Sequence, residues 1–488
     1  MIRSAPLALN PILLKEMRQA VRSRFVSGAY CLLLLVLTVV TGGTLMSGVA
    51  RAARDPGALF GAGRGLFQAL FVPLTLVCVL FVPVYAGLRL AVERGDVHLD
   101  LQFTTRLSPG AILRGKFMAA LVLISLMTSA ALPFLTLTFR LGGIDVPSAL
   151  LSLLVLLLIS ALTVLGTLLL AALPGNRFWR VVLALGALMS LFWVMTLANM
   201  AAAGIIQSGV GGQMLTAAFW RVAGMIGIGA VLLGSGGYVL SVALISPPAA
   251  NRALPIRLWA TAAWLAWGVM MTLMAFAQRD ADYLMGWIVP GLLLGINALA
   301  LTAGERLTIG RRVRQRIPRR LFARLIVFPF YSGAAPGTLW ATALGAATLG
   351  IGYLLTKRLD AAGLAADGEA FPVMAGMLAY AFVYSQSGLL LWRAAGHRWL
   401  SRGQTWVIIL LLLALGCLLP LLVGLAAGTL TRSPFGAWTL GNPFALFNDD
   451  HRTAGLLFAL VGCALLAIPQ VPWIVRAWHD FKPVNLEH

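Results

Sequence analysis

The residues best placed to do chemistry are few. The string Gly110-Ala-Ile-Leu-Arg-Gly115-Lys116-Phe117 has the spacing of a phosphate-binding P-loop, but Phe117 stands where a Ser or Thr hydroxyl would hold magnesium. No strand pattern precedes it and an apolar run follows, so nucleotide binding is not expected there. His98, His397, His451 and His479 are scattered, without a His-x-x-x-His pair, and Cys31, Cys78, Cys417 and Cys463 each sit inside an apolar stretch without metal-ligand spacing. Asp449-Asp450-His451 could bind a cation, although a solvated turn is the simpler reading. These side chains imply neither a catalytic constellation nor a metal or cofactor held by this chain.

Recognition is better served. In Asn10-Pro11-Ile12-Leu13-Leu14-Lys15-Glu16-Met17-Arg18-Gln19-Ala20-Val21-Arg22, Asn10 suits an N-cap and Pro11 the first helical position. Leu14, Met17 and Val21 form an apolar stripe, and Lys15, Arg18 and Arg22 a basic one, with Glu16 beside them. That pattern predicts a helix lying in the interface on anionic lipid, or else a basic flank that only orients the first span. A second segment, from Glu93 to Phe117, predicts a short helix, a turn at Ser108-Pro109-Gly110 and a helix running into the next span. A third holds Glu305-Arg306 and then Arg311, Arg312, Arg314, Arg316, Arg319, Arg320 and Arg324, with Ile309, Val313, Ile317 and Leu321 every four residues and Pro318 splitting the helix. Interfacial anchoring and contact with a partner subunit both fit it. With Phe322 as its one aromatic it does not suit nucleic acid.

What positions these segments is lipid. Of 488 residues, 60% are hydrophobic and only 11% charged, and the mean hydropathy is +0.90, which excludes an ordinary soluble enzyme. Charge-free apolar runs fall at 28–48, 67–88, 117–137, 149–172, 181–200, 222–245, 258–277, 283–303, 337–355, 371–391, 406–427 and 454–475, each long enough to cross a bilayer as a helix. The fold class is therefore all-α and polytopic, with about twelve transmembrane helices. These boundaries put every charged side chain in a loop, unlike an ion-coupled pump.

With the N-terminus inside, inner segments carry 27 Lys and Arg and outer ones 10, so the positive-inside rule makes both termini cytoplasmic. The basic 1–27 segment and long first run read as a retained span rather than a cleaved signal. Four regions follow: an elbow helix at 1–27, a six-span core at 28–246, a second six-span module at 247–485, and 486–488 as the remnant of a tag.

The N-terminal Asn-Pro-x-Leu-x-Lys-Glu-x-Arg-Gln stretch and the Glu93 loop together resemble the ABC-2 family of ATP-binding-cassette permeases over about residues 8 to 245. Asn10, Pro11, Lys15, Glu16, Arg18, Glu93, Leu99, Asp100, Thr105, Leu107, Ser108, Gly115 and Lys116 fit its pattern, while Val97-His98 and Arg106 depart from it. The resemblance implies that the loop docks into a cleft of a separate ATPase subunit and transmits its closing stroke. Glu93, Asp96, Leu99, Asp100, Leu101, Phe103, Thr105 and Ser108 would then form the coupling surface, and Lys15, Glu16, Arg18 and Arg22 the interfacial helix. It also implies a dimer of permease units in the cytoplasmic (inner) membrane, ATP and magnesium held by the partner, and short re-entrant helices in the uncharged outer stretch 201–220. The expected activity is export of a substrate. A polytopic membrane enzyme, a secondary carrier and a non-transporting scaffold are the rival classes, disfavoured where they need buried acids or a catalytic cluster.

Overall fold

The computed structural model describes residues 10–52, 62–95, 108–173, 177–247, 249–305, 310–363, 370–394, 404–426 and 439–483. Every regular element among them is helical, and twelve helical segments are long and apolar enough to span a membrane. This is an all-α polytopic membrane protein, as expected of a chain whose backbone polar groups must be satisfied within lipid. It divides into two compact units, Met1–Ser246 and Pro247–His488.

The first unit begins with α1 (Pro11–Arg22), whose first turn is capped by the Asn10 carboxamide accepting from Ile12 N–H at 3.1 Å. Ser23 is extended, and this bend separates α1 from α2 (Arg24–Ala52). The second span is composite: α3 (Ala62–Thr75), a π-helical turn (Leu76–Phe81) and α4 (Val82–Gly95). The wide turn has a cause in Pro83, which has no N–H to return to Val79; Val82 N–H reaches instead to the Val77 carbonyl. Next come α5 (Pro109–Arg140), α6 (Val146–Ala172), α7 (Arg177–Ser208) and α8 (Ala217–Ile245). Their core is built on Leu66, Phe67, Leu70 and Leu74 of α3 packed with Leu113, Ile124, Met127 and Leu156. Apolar side chains left outside, such as Met189, Phe192 and Trp193 of α7, are the surface that acyl chains cover.

The outer stretch 201–220 departs from the expected re-entrant helices. Gly204 does not interrupt α7, which runs to Ser208; Gly209 then takes φ +64°, and one 3-10 turn (Gln213–Leu215) leads into α8.

The second unit comprises α9 (Ala253–Gln278), α10 (Asp282–Ala303), α11 (Arg311–Arg314), α12 (Leu321–Val327), α13 (Ala334–Ala361), α14 (Ala370–Ala394), α15 (Thr405–Ala426) and α16 (Asp449–Asp480). Pro318 falls between α11 and α12, which it separates. Trp264 and Trp287 knit the α9, α10 and α13 helices, donating to Thr348 Oγ1 at 2.9 Å and to the Trp264 carbonyl at 3.1 Å.

One expectation is corrected. The helices extend beyond the charge-free runs, so Arg89, Glu93, Lys116 and Arg257 lie within membrane-length helices, and Lys116 and Arg257 are buried at 4% and 2% exposure. A charge-free window stops at the first charged residue, and at Lys116 and Arg257 the helix continues inside the protein, where partners replace water.

Candidate functional site

Elbow and core meet at a joint of ion pairs. The Lys116 ammonium on α5 lies 2.6 Å from Glu16 Oε1 of α1 and 2.8 Å from Glu93 Oε2 of α4. Lys15 reaches Glu93 Oε1 at 3.2 Å, and Arg89 Nε reaches Glu16 Oε2 at 3.3 Å. Arg89 also donates to Gln19 Oε1 and, at 3.1 Å, to the Tyr85 hydroxyl. Both carboxylates are thus engaged by two cations each, which is what makes the burial of Lys116 tolerable.

Local structure explains how these groups converge. Tyr85, Arg89 and Glu93 recur every four residues and share one face of α4. On α1 the buried positions are Glu16 and Ala20, while Leu14 and Val21 point outward at 41% and 73% exposure. The face of α1 that meets protein carries Glu16 and Ala20, whereas the apolar Leu14 and Val21 and the basic Lys15, Arg18 and Arg22 are exposed. Gly115 permits the contact: a Cβ there would stand 2.8 Å from Ile12 Cβ, so any larger residue would lift α1 off α5. Asn10 Nδ2 adds a bond to the Ala111 carbonyl at 2.8 Å. A cavity of about 20 Å³, bordered by Glu16, Tyr85, Arg89 and Lys116, has room for one water.

The residues singled out by sequence are placed as follows. Lys15, Glu16 and Glu93 belong to the joint, so Glu93 spends both carboxylate oxygens within its own chain. Ser108 caps α5, its hydroxyl accepting from Ala111 N–H at 3.2 Å. Arg18 and Arg22 are exposed on α1. Asp96, Leu99, Asp100, Leu101, Phe103 and Thr105 lie outside the described residues. Sequence reading missed Arg89 and Tyr85 and gave Gln19 no contact of its own; the four-residue spacing of Tyr85, Arg89 and Glu93 at the end of an apolar run was the available signal.

The P-loop-like string forms the opening turns of α5, so its N–H groups are set along a helix rather than around a loop, and Lys116 already has two carboxylates. Asp449 and Asp450 open α16, capped by Asn448, with Asp449 paired to Arg452. Among the described residues no group of His, Cys, Asp or Glu could hold a metal ion.

Two further joints occur. In the second unit Arg257 donates from Nη1 to the carbonyls of Pro329 and Tyr331 at 2.8 and 2.6 Å and pairs through Nη2 with Glu305, whose other oxygen accepts from Gly333 N–H at 2.7 Å. At the other end of the first unit, Asp145 caps α6 through Ser148 N–H and accepts from Gly211 N–H, both at 3.2 Å, while Ser148 Oγ accepts from Val210 N–H at 2.8 Å. Burial opposes ionisation of Asp145, but the bonds from Ser148, its own backbone and Gly211 outweigh it and hold the carboxyl below its ordinary range.

Comparison of the chain with protein-family models, with curated proteins and with solved structures finds no match.

Proposed function

We propose that this chain is the membrane-spanning permease subunit of an ABC-2-type exporter, moving a substrate across the cytoplasmic membrane with ATP hydrolysed by a separate subunit. ATP and magnesium belong to that partner, and two permease units make the working dimer. One observation carries the reading. The two sequence segments that resemble the family are far apart in the chain, yet Lys15 and Glu16 of one are bonded to Glu93 and Lys116 of the other. Those last two residues flank the segment 96–107, so a push on it would be felt at the feet of two spans and by the elbow.

The test has two arms. Crosslinking in native membranes followed by purification should recover an ATPase carrying nucleotide-binding motifs. Phe103→Ala should lower its retention far more than Arg316→Ala at matched expression, because a truncated aromatic anchor can cost more than about 2 kcal/mol and an exposed charge little. Recovery of no ATPase, or loss with Arg316→Ala alone, would sink the assignment of coupling to the 96–107 segment. Orientation is checked separately: Arg402→Cys should resist a membrane-impermeant thiol reagent in intact cells, and Asp367→Cys and Asp449→Cys should react.

A further inference from the structure

Ten buried side-chain nitrogen and oxygen atoms among the described residues have no hydrogen-bond partner, and five of them belong to three side chains of the second unit: Gln386 Oε1, Gln470 Oε1 and Nε2, and Arg393 Nε and Nη2. Such clustering marks a place. Gln386 is 0% and Gln470 1% exposed, and both sit in membrane-length helices, where bulk water cannot satisfy them.

The three side chains share one seam. Cys463 of α16 donates to the Ala379 carbonyl of α14 at 3.5 Å, and the Arg393 guanidinium of α14 lies 4.1 Å over the Trp473 ring of α16. These contacts set the two helices side by side in the same direction. Ala379, Gln386 and Arg393 recur at intervals of seven, two helical turns, and so occupy one face of α14. Cys463 and Gln470 share a face of α16 in the same way, and the contact of Cys463 with Ala379 turns these faces toward each other.

The identity of the unpaired atoms points to a ligand class. Nε and Nη2 form the side edge of the guanidinium, whose parallel N–H bonds match two oxygens of an oxyanion; the flat face is already stacked on Trp473. Gln470 adds an amide donor, and the two glutamines offer carbonyl acceptors. No ion pair to Arg393 occurs among the described residues. Water could satisfy the amides but would leave the cation without an anion. An oxyanion answers the guanidinium edge and the Gln470 amide N–H together, and the phosphate of a glycerophospholipid is such a group; the deeper Gln386 carbonyl is not part of that set. Arg393 lies in the last turn of α14, at headgroup level, with Gln386 about 10 Å deeper at 1.5 Å per residue.

We propose that the seam between α14 and α16 binds the phosphate of a membrane phospholipid headgroup, held by the Arg393 side edge and the Gln470 amide N–H. The site does not depend on the permease reading. It is tested by delipidating the purified full-length protein in detergent and titrating phosphatidylglycerol, with bound lipid counted by native mass spectrometry. One lipid should bind saturably to each chain. Arg393→Gln and Gln470→Leu should each weaken it at least tenfold. Arg393→Lys, which keeps the charge and loses the fork, should weaken it several-fold, and Arg320→Gln should leave it unchanged. Millimolar inorganic phosphate separates the sources: lipid that stays bound supports the headgroup assignment, and displacement by phosphate overturns it in favour of free phosphate esters. Unchanged binding in Arg393→Gln overturns the site altogether; should that variant unfold, unchanged binding in Arg393→Lys does so.

Discussion

The joints at Lys116 and at Arg257 solve the same problem in different ways. Each buries a cation in a membrane-length helix and ties it to a glutamate at the end of its unit's second span, Glu93 or Glu305. Around Lys116 both ion-pair partners are side chains, one from α1 and one from α4, and two more cations stand beside the same carboxylates. Around Arg257 the partners include backbone carbonyls of Pro329 and Tyr331, and Glu305 is itself fixed by the Gly333 N–H. Carboxylates with several cations can exchange them; a guanidinium bonded to main chain cannot move without the main chain. The elbow joint therefore keeps each carboxylate paired if Lys116 is lost, whereas the Arg257 joint has no second cation among the described residues.

Mutations can break this contrast. The largest loss is expected from Arg257→Met, which strands Glu305 and two carbonyls; removing one partner of a buried pair costs about 3–5 kcal/mol. Thermal unfolding of the detergent-solubilised protein should show a large fall, or the protein should not accumulate. Lys116→Met should cost less, about 1–3 kcal/mol, because Arg89 still neutralises Glu16 and Lys15 still neutralises Glu93. Equal losses in the two variants would remove the distinction between a joint with spare cations and one without.

Smaller changes sharpen it. Gly115→Ala keeps every charge but pushes against Ile12, so it should cost about 1–3 kcal/mol as overpacking and raise protease access to α1 without touching the second unit. Asp145→Ala, at a joint that is neither of these, should cost about 1 kcal/mol as a lost cap and speed amide exchange at Val210 and Gly211. Because the Asp145 carboxyl is held below its ordinary range, its contribution is present above pH about 4 and lost as pH falls through the depressed value. Exchange at Gly211 should thus stay flat from pH 8 to about 5, after correction for intrinsic rates, and rise only below that. A rise near neutrality would point to another group.

The twelve spans were legible in the sequence, because an apolar run of twenty residues has one stable form in lipid, and Asn10-Pro11, Ser108-Pro109 and Pro318 marked where helices start or part. The helix ends were not, since a charge-free window stops at the first Lys, Arg, Asp or Glu whether that residue meets water or a partner. Hence Lys116 and Arg257 read as loop charges and proved buried. The π turn before Pro83 and the single 3-10 turn after Gly209 also escaped a pattern-based reading. Within the joint, sequence supplied the residue types and showed α1 to be two-faced, but not which face met protein. That was decided in three dimensions: 100 residues separate Glu16 from Lys116, and the packing of α1 on α5, with Ile12 against Gly115 and Asn10 bonded to Ala111, brings their charges together. Periodicity along a chain records which side chains share a helix face; which face finds which depends on distances that no local pattern contains.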